Sequence, residues 1–149
     1  VDQAFHLMKG GGACLLREKI IAKASKRMVV IFDDSKKVET LGAFPLPVEV
    51  DPFGVGLTAS QVYDALLKTG CQDGTTTLRQ ARDGSGPLIT DGGHYILDCQ
   101  AGAIPAPALT AQALAAIPGV MEHGLFIDLA SVVVIGEVDH AIVLEIKRD

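Results

Sequence analysis

The chain has 149 residues, the span of one domain with room for a sizeable core. Its 48% hydrophobic and 21% charged residues exclude intrinsic disorder as a description of the whole. Thirteen Lys and Arg against eighteen Asp and Glu leave a formal charge of -5, which offers no electrostatic footprint for nucleic acid.

Residues 1–3, Val1-Asp2-Gln3, carry no initiator Met, basic n-region or apolar h-region, so no targeting segment is expected there. Gly10-Gly11-Gly12 leads into a stretch where Ala13, Leu16, Ile20, Ala24 and Arg27 recur at helical spacing, and a helix is predicted over 13–27. Residues 28–32 form a continuous, mostly β-branched run ended by Asp33-Asp34-Ser35, as in a parallel strand covered on both faces. Helix then strand reads as half of a doubly wound layer.

The prolines at 45, 47 and 52 bias their predecessors towards extended geometry, so 45–52 reads as a connector opening a second sheet. A helix is expected over 58–69, closed by Gly70, followed by short strands at 75–82 and 88–90. Asp91-Gly92-Gly93 then turns into a strand at 95–99, giving a hairpin. The Ala-rich segment 107–117 is helical and stops at Pro118-Gly119. Together these elements make a small α+β unit over 48–123. Strands at 125–129 and 132–135, a turn at 137–139 and a last strand at 141–146 return the chain to the first sheet. The longest apolar run, 129–136, is interrupted by Ser131 and is far below the ~20 residues of a membrane-spanning helix.

Lys9 and the three glycines stand before a helix N-terminus, where free N–H groups and the positive dipole end favour an anion. Triple glycine is also a plain strand-to-helix turn. On a helical wheel Ala13, Cys14, Leu16, Ile20, Ile21 and Ala24 share one arc; Glu18 lies at its edge, with Lys19, Lys23 and Lys26 opposite. An edge carboxylate that is partly desolvated suits a general base, against the alternative of a solvated or ion-paired glutamate. Arg17 is its ion-pair partner or a snorkelling side chain. Lys36 follows the 28–32 strand, at the end where α/β sheets bind ligands, and is read as a contact for an anionic or hydroxylated substrate or as part of a solvated charge cluster. Adjacent Asp33 and Asp34 point apart and make a poor acid/base pair.

His6, His94, His123 and His140 have no metal-ligand spacing, and Cys14, Cys71 and Cys99 have no C-x-x-C. Surface or core histidines and reduced, partly buried thiols are expected, with no metal site. Cys14, though at a helix start, reads as a small buried residue rather than a nucleophile.

Five motifs in order carry a family resemblance: Lys9-Gly10-Gly11-Gly12-Ala13-Cys14-Leu15-Leu16-Arg17-Glu18-Lys19-Ile20-Ile21-Ala22, then Val29-Val30-Ile31-Phe32-Asp33-Asp34-Ser35-Lys36, then Leu41-Gly42-Ala43-Phe44-Pro45-Leu46-Pro47-Val48-Glu49-Val50, then Thr90-Asp91-Gly92-Gly93-His94-Tyr95-Ile96-Leu97-Asp98, and finally Ala116-Ile117-Pro118-Gly119-Val120-Met121-Glu122-His123-Gly124-Leu125-Phe126. The chain resembles ribose-5-phosphate isomerase, type A, over nearly its whole length. The resemblance implies an α/β fold, a doubly wound, Rossmann-like parallel sheet here lacking its N-terminal part. Residues 1–47 and 124–149 would form a partial catalytic domain, with 48–123 as an inserted small α+β domain.

It also implies an aldose-ketose isomerase that interconverts D-ribose 5-phosphate and D-ribulose 5-phosphate through an enediolate, in the non-oxidative branch of the pentose phosphate pathway. Glu18 would carry the proton, Lys9 would be the cation beside the enediolate, and Gly10, Gly11, Gly12 and Lys36 would contact substrate. Neither metal nor cofactor is implied. A cytoplasmic homo-oligomer, dimer or tetramer, acting on a small sugar phosphate is expected, with no nucleic-acid or membrane partner. The family's Thr-Gly-Ser-Thr-like phosphate loop and Asp-Gly-Ala-Asp-Glu motif stand upstream of Val1. The expected active molecule therefore carries a preceding segment of some ~70 to 90 residues. The rival reading is a non-catalytic sugar-phosphate sensor on the same kind of fold, as in some bacterial repressors. Such a protein would carry a basic recognition helix, which this chain lacks, and need not keep Glu18 and Lys9. A third reading is a structural subunit that only completes an oligomer.

Overall fold

A computed structural model describes residues 1–146. In chain order the elements are β1 (Leu7–Met8), α1 (Leu15–Ala24), β2 (Val29–Asp33), a 3-10 turn (Asp34–Lys36), β3 (Leu46–Val50), α2 (Val55–Lys68), β4 (Thr76–Leu78), β5 (Tyr95–Cys99), α3 (Pro107–Ala115), β6 (Val120–His123), β7 (Leu125–Phe126), β8 (Val132–Gly136) and β9 (Ala141–Glu145). Among the described residues no helix is long and apolar enough to cross a membrane.

Three sheets result: an antiparallel pair β1-β7, a three-stranded sheet in the order β2-β8-β9, and a four-stranded antiparallel sheet in the order β4-β5-β3-β6. β2 runs parallel to β8, and β9 folds back antiparallel on β8. The four-stranded sheet has two different faces because side chains alternate along each strand. Leu46, Val48 and Val50 of β3 and Leu97 and Cys99 of β5 pack against Val62 and Leu66 of α2 and Leu114 of α3. The opposite face carries Pro47, Glu49 and Asp98, and Ile96 meets Leu15 of α1 there. A second core joins Leu7, Phe126, Ala130, Val133 and Ile135, with Val30 and Phe32 of β2 against it.

Several expectations are corrected. The helix predicted over 13–27 is shorter, because Ala13 adopts a left-handed φ of 64° and Ser25 is extended. Its buried side is also different. Leu15 is fully buried, while Ile20 and Ile21 of the predicted arc are 59% and 67% exposed. The helix's rotation is decided by where Leu15 and Lys19 dock. β2 is covered on one face only, leaving Val29 and Ile31 exposed. The proline-rich 45–52, expected to open a second sheet, does so as β3, which lies inside that sheet between β5 and β6 with all five residues buried. Pro47 is tolerated because β6 has already given way to Gly124, whose N–H donates to the Pro47 carbonyl at 2.8 Å.

The strand expected over 75–82 shortens to β4, and 88–90 forms no strand; only a bridge between Gln80 and Pro87 links the two segments. β5 therefore pairs with β3 and β4 instead. The strand expected over 125–129 stops at Phe126, with Asp128 in a left-handed conformation at φ 54°. The last residues of the segment expected over 124–149, namely 147–149, lie outside the described residues.

Candidate active site

Lys9 follows β1 directly, and its backbone is fixed before its side chain acts. Its N–H donates to the Gly124 carbonyl at 2.8 Å, just beyond the pairing of Leu7 and Met8 with Phe126 and Leu125. Glycine is required at 124 because a Cβ there would collide with the Lys9 carbonyl oxygen. It is required at 10 as well, where φ is 101° and a Cβ would lie 2.8 Å from that of Leu15. The Ala13 N–H closes the loop onto the Gly10 carbonyl at 3.0 Å.

Glu18 sits in the first turn of α1, where the helix dipole favours a carboxylate. Its Oε2 lies 3.3 Å from Lys9 Nζ, and the two side chains are 43% and 34% exposed. The ammonium also stands 5.8 Å from the centre of the Phe126 ring. Of the two readings of Glu18 from sequence, the ion-paired glutamate describes its ground state, but the partner is the lysine expected beside the reacting oxygens. Arg17 is not that partner, since it pairs with Asp91 at 2.6 Å.

Lys36 ends the 3-10 turn after β2 and pairs with Asp33 at 2.8 Å. Hydrogen bonds from Lys36 and then Ser35 hold the Asp33 carboxyl well below the usual carboxylate range, at about 2. Lys9 and Lys36 line one cavity of about 500 Å³, walled by apolar side chains that include Met8, Phe32, Val38, Leu41 and Phe44. That volume suits a small phosphorylated ligand. Glu18 is outside the wall of this cavity and joins it through Lys9. Gly11 and Gly12 are exposed beside α1, and a Cβ on either would meet open space.

Two ion pairs around the site were not anticipated. Lys19, assigned by the wheel to the solvent side, is largely buried; its Nζ donates to Glu122 Oε1 at 2.5 Å and to the His123 carbonyl at 2.6 Å, and lies 5.0 Å from the Phe126 ring centre. Burial lowers the Lys19 pKa despite the Glu122 hydrogen bond. Burial first, and the Lys19 charge second, push His123 down to about 4. The second pair joins Arg79 to Asp98, and Arg79 also donates to the carbonyls of Gly10 and Gly11. Sequence offers only a weak signal for either pair, because the first depends on how α1 docks on β6 and the second on the register of β4 on β5.

Cys14 is exposed rather than buried, with Sγ 3.6 Å from the Gly12 carbonyl oxygen. Cys71 and Cys99 are buried free thiols, and burial pushes both pKa values up. His94 is held by the buried Glu49 at 2.9 Å, His6 by Asp2 at 3.1 Å and His140 by Glu137 at 3.3 Å. Among the described residues no group of three or more His, Cys, Asp or Glu is placed to hold a metal ion.

The ribose 5-phosphate isomerase A (phosphoriboisomerase A) family matches residues 1–140. The ribose-5-phosphate isomerase A of Maricaulis maris is 61% identical over 146 residues, 98% of this chain and 63% of that protein. A solved ribose 5-phosphate isomerase from Plasmodium falciparum superposes with a TM-score of 0.89 at 28% identity, over 99% of this chain and 63% of that one. A D-ribose-5-phosphate isomerase solved in complex with phospho-erythronic acid gives 0.86 at 34% identity, over 97% of this chain and 61% of that one. The chain thus spans roughly three-fifths of the length of these relatives and shares their α/β fold. By sequence and by fold it belongs to the ribose 5-phosphate isomerase A family.

Proposed function

We propose that the protein interconverts D-ribose 5-phosphate and D-ribulose 5-phosphate, as an aldose-ketose isomerase of the non-oxidative pentose phosphate pathway. The observation that carries this reading is the Lys9–Glu18 pair, 3.3 Å apart behind a glycine loop, in a chain of this family. In the open-chain aldose, Glu18 takes the proton from C2. The C2 electrons form the C1–C2 double bond of an enediolate, and negative charge moves onto O1, where Lys9 neutralises it. Glu18 then returns its proton to C1 while the O2 proton passes to O1, leaving a ketone at C2. Lys36 meets the phosphate or the hydroxyls from its place in the cavity wall. The phospho-erythronic acid of the related structure supports this scheme, since its planar carboxylate resembles the two oxygens of an enediolate.

The base and the cation are side chains, so the scheme needs neither metal nor cofactor. We read residues 1–47 and 124–149 as part of the catalytic unit, with 48–123 as the smaller inserted unit. The working protein is a cytoplasmic homo-oligomer, dimer or tetramer, in this reading.

The test is isomerisation by the purified protein in deuterated water, followed by NMR. Solvent deuterium at C1 of part of the ribulose 5-phosphate, at a rate unchanged by exhaustive chelation, is the expected result. Complete retention of the C2 hydrogen, or activity restored only by a divalent metal, would contradict proton transfer by Glu18.

A further inference from the structure

We infer that Arg79 is a positioning residue that aims the N–H groups of Gly11 and Gly12 at the reacting oxygens, an assignment that rests on the Lys9–Glu18 reading. Arg79 leaves the end of β4 on the face of the four-stranded sheet turned away from α2 and α3. There Nε donates to Asp98 Oδ2 at 2.8 Å and Nη2 pairs with Oδ1. This fork fixes the guanidinium plane, and the Arg79 side chain is only 14% exposed. The remaining nitrogen, Nη1, donates to the Gly11 carbonyl at 2.9 Å and to the Gly10 carbonyl at 3.3 Å.

A trans peptide holds its C=O and the following N–H antiparallel. Drawing the Gly10 carbonyl towards Arg79 therefore turns the Gly11 N–H away from it, and drawing the Gly11 carbonyl turns the Gly12 N–H away. Among the described residues neither N–H meets an acceptor, and both glycines are exposed. Among the described residues nothing crowds either one, in contrast to Gly10. Two outward donors beside Lys9, at the start of α1, suit an oxygen that gains negative charge during the reaction. Without the arginine the Ala13 N–H still holds the Gly10 carbonyl, but the Gly11 carbonyl loses its donor and the glycine peptide that carries the Gly12 N–H is free to rotate. The loss should fall on kcat, because the charge grows only after binding.

The experiment compares Arg79→Gln, Arg79→Lys and Asp98→Asn with the parent protein in kcat and KM, and titrates phospho-erythronic acid calorimetrically. For Arg79→Gln a fall in kcat of about ten- to hundredfold is expected, with KM within about threefold and phospho-erythronic acid weakened about as much as kcat/KM. Arg79→Lys keeps a charge without the fork and should show the same loss. Asp98→Asn, which releases the guanidinium plane, should show a smaller fall of the same kind and carries the test if Arg79→Gln fails to fold. A kcat within twofold of the parent in folded Arg79→Gln, full recovery by lysine, or an effect confined to KM would each overturn the assignment. A Glu18→Gln control separates the two claims: if it keeps full activity the site reading fails, whereas an inactive Glu18→Gln beside an active Arg79→Gln defeats the Arg79 inference alone.

Discussion

The four-stranded sheet and the three-stranded sheet treat similar strands differently. β3, at the centre of the first, is buried along its whole length, with α2 and α3 on one face and the start of α1 on the other. β2, a run of equal length and greater β-branching, is packed on one face, and its Ile31 is 75% exposed. Val143 of β9 lies on that same open face, at 60%. Burial is thus set by the layers a strand meets rather than by its own composition. The candidate site falls at the boundary between these regimes: Lys9 comes from the β1-β7 pair, Glu18 from α1 and the loop's arginine from the end of β4.

Substitutions sharpen this contrast, beginning with the fully layered region. Leu66→Ala in α2 removes a completely buried side chain from the core beneath β3. It should cost ~2–5 kcal/mol, read from the shift of the denaturant midpoint. A loss below ~1 kcal/mol would mean that this core is no better packed than the open sheet.

At the boundary the readout is pH. His123, at the end of β6, titrates at about 4 in the folded chain and near its ordinary value when unfolded, with Lys19 and Glu122 facing it. The unfolded chain therefore binds the extra proton between those values. This contribution to stability is complete above pH ~6.5 and is lost as pH falls towards 4. Equilibrium unfolding across that window should show the slope, and His123→Asn should flatten it. An unchanged slope would mean that the imidazole is as readily protonated folded as unfolded.

The smallest effect belongs to the open face. Val143→Thr keeps the β-branched shape at an exposed position and should change stability by less than ~0.5 kcal/mol. A cost near that of Leu66→Ala would show that the face is covered in solution.

Much of this organisation is legible in the residues. The glycine loop before a helix, the strand ending in Asp33-Asp34-Ser35 and the Ala-rich helix all depend on local spacing, which survives folding unchanged. Lys9 stands out by its glycine loop, Glu18 by its edge position on the wheel and Lys36 by its strand end, and motif position adds their implied roles. The structure puts Lys9 next to Glu18 and into one cavity with Lys36. What escaped depends on neighbours. The rotation of α1 is set by Leu15 meeting Ile96 and Lys19 meeting Glu122, across 81 and 103 positions of sequence. The wheel, which sees only the helix, therefore turned its apolar arc inward. The Arg79–Asp98 fork needs the register of β4 on β5, which places Thr77 opposite Asp98 and is invisible before pairing. The prolines point to the extended start of a second sheet but not to a central place in it, which Pro47 can occupy only because the neighbouring strand stops short, as β6 does here.

The central claim, that Glu18 moves the proton beside Lys9, is tested most directly by the steady-state kinetics of Glu18→Gln on ribose 5-phosphate. The amide keeps the shape of the side chain and removes the base. A fall in kcat of ~10²- to 10⁴-fold is predicted, with KM within about threefold and thermal stability nearly unchanged. Retention of more than half the parent's turnover would contradict the account.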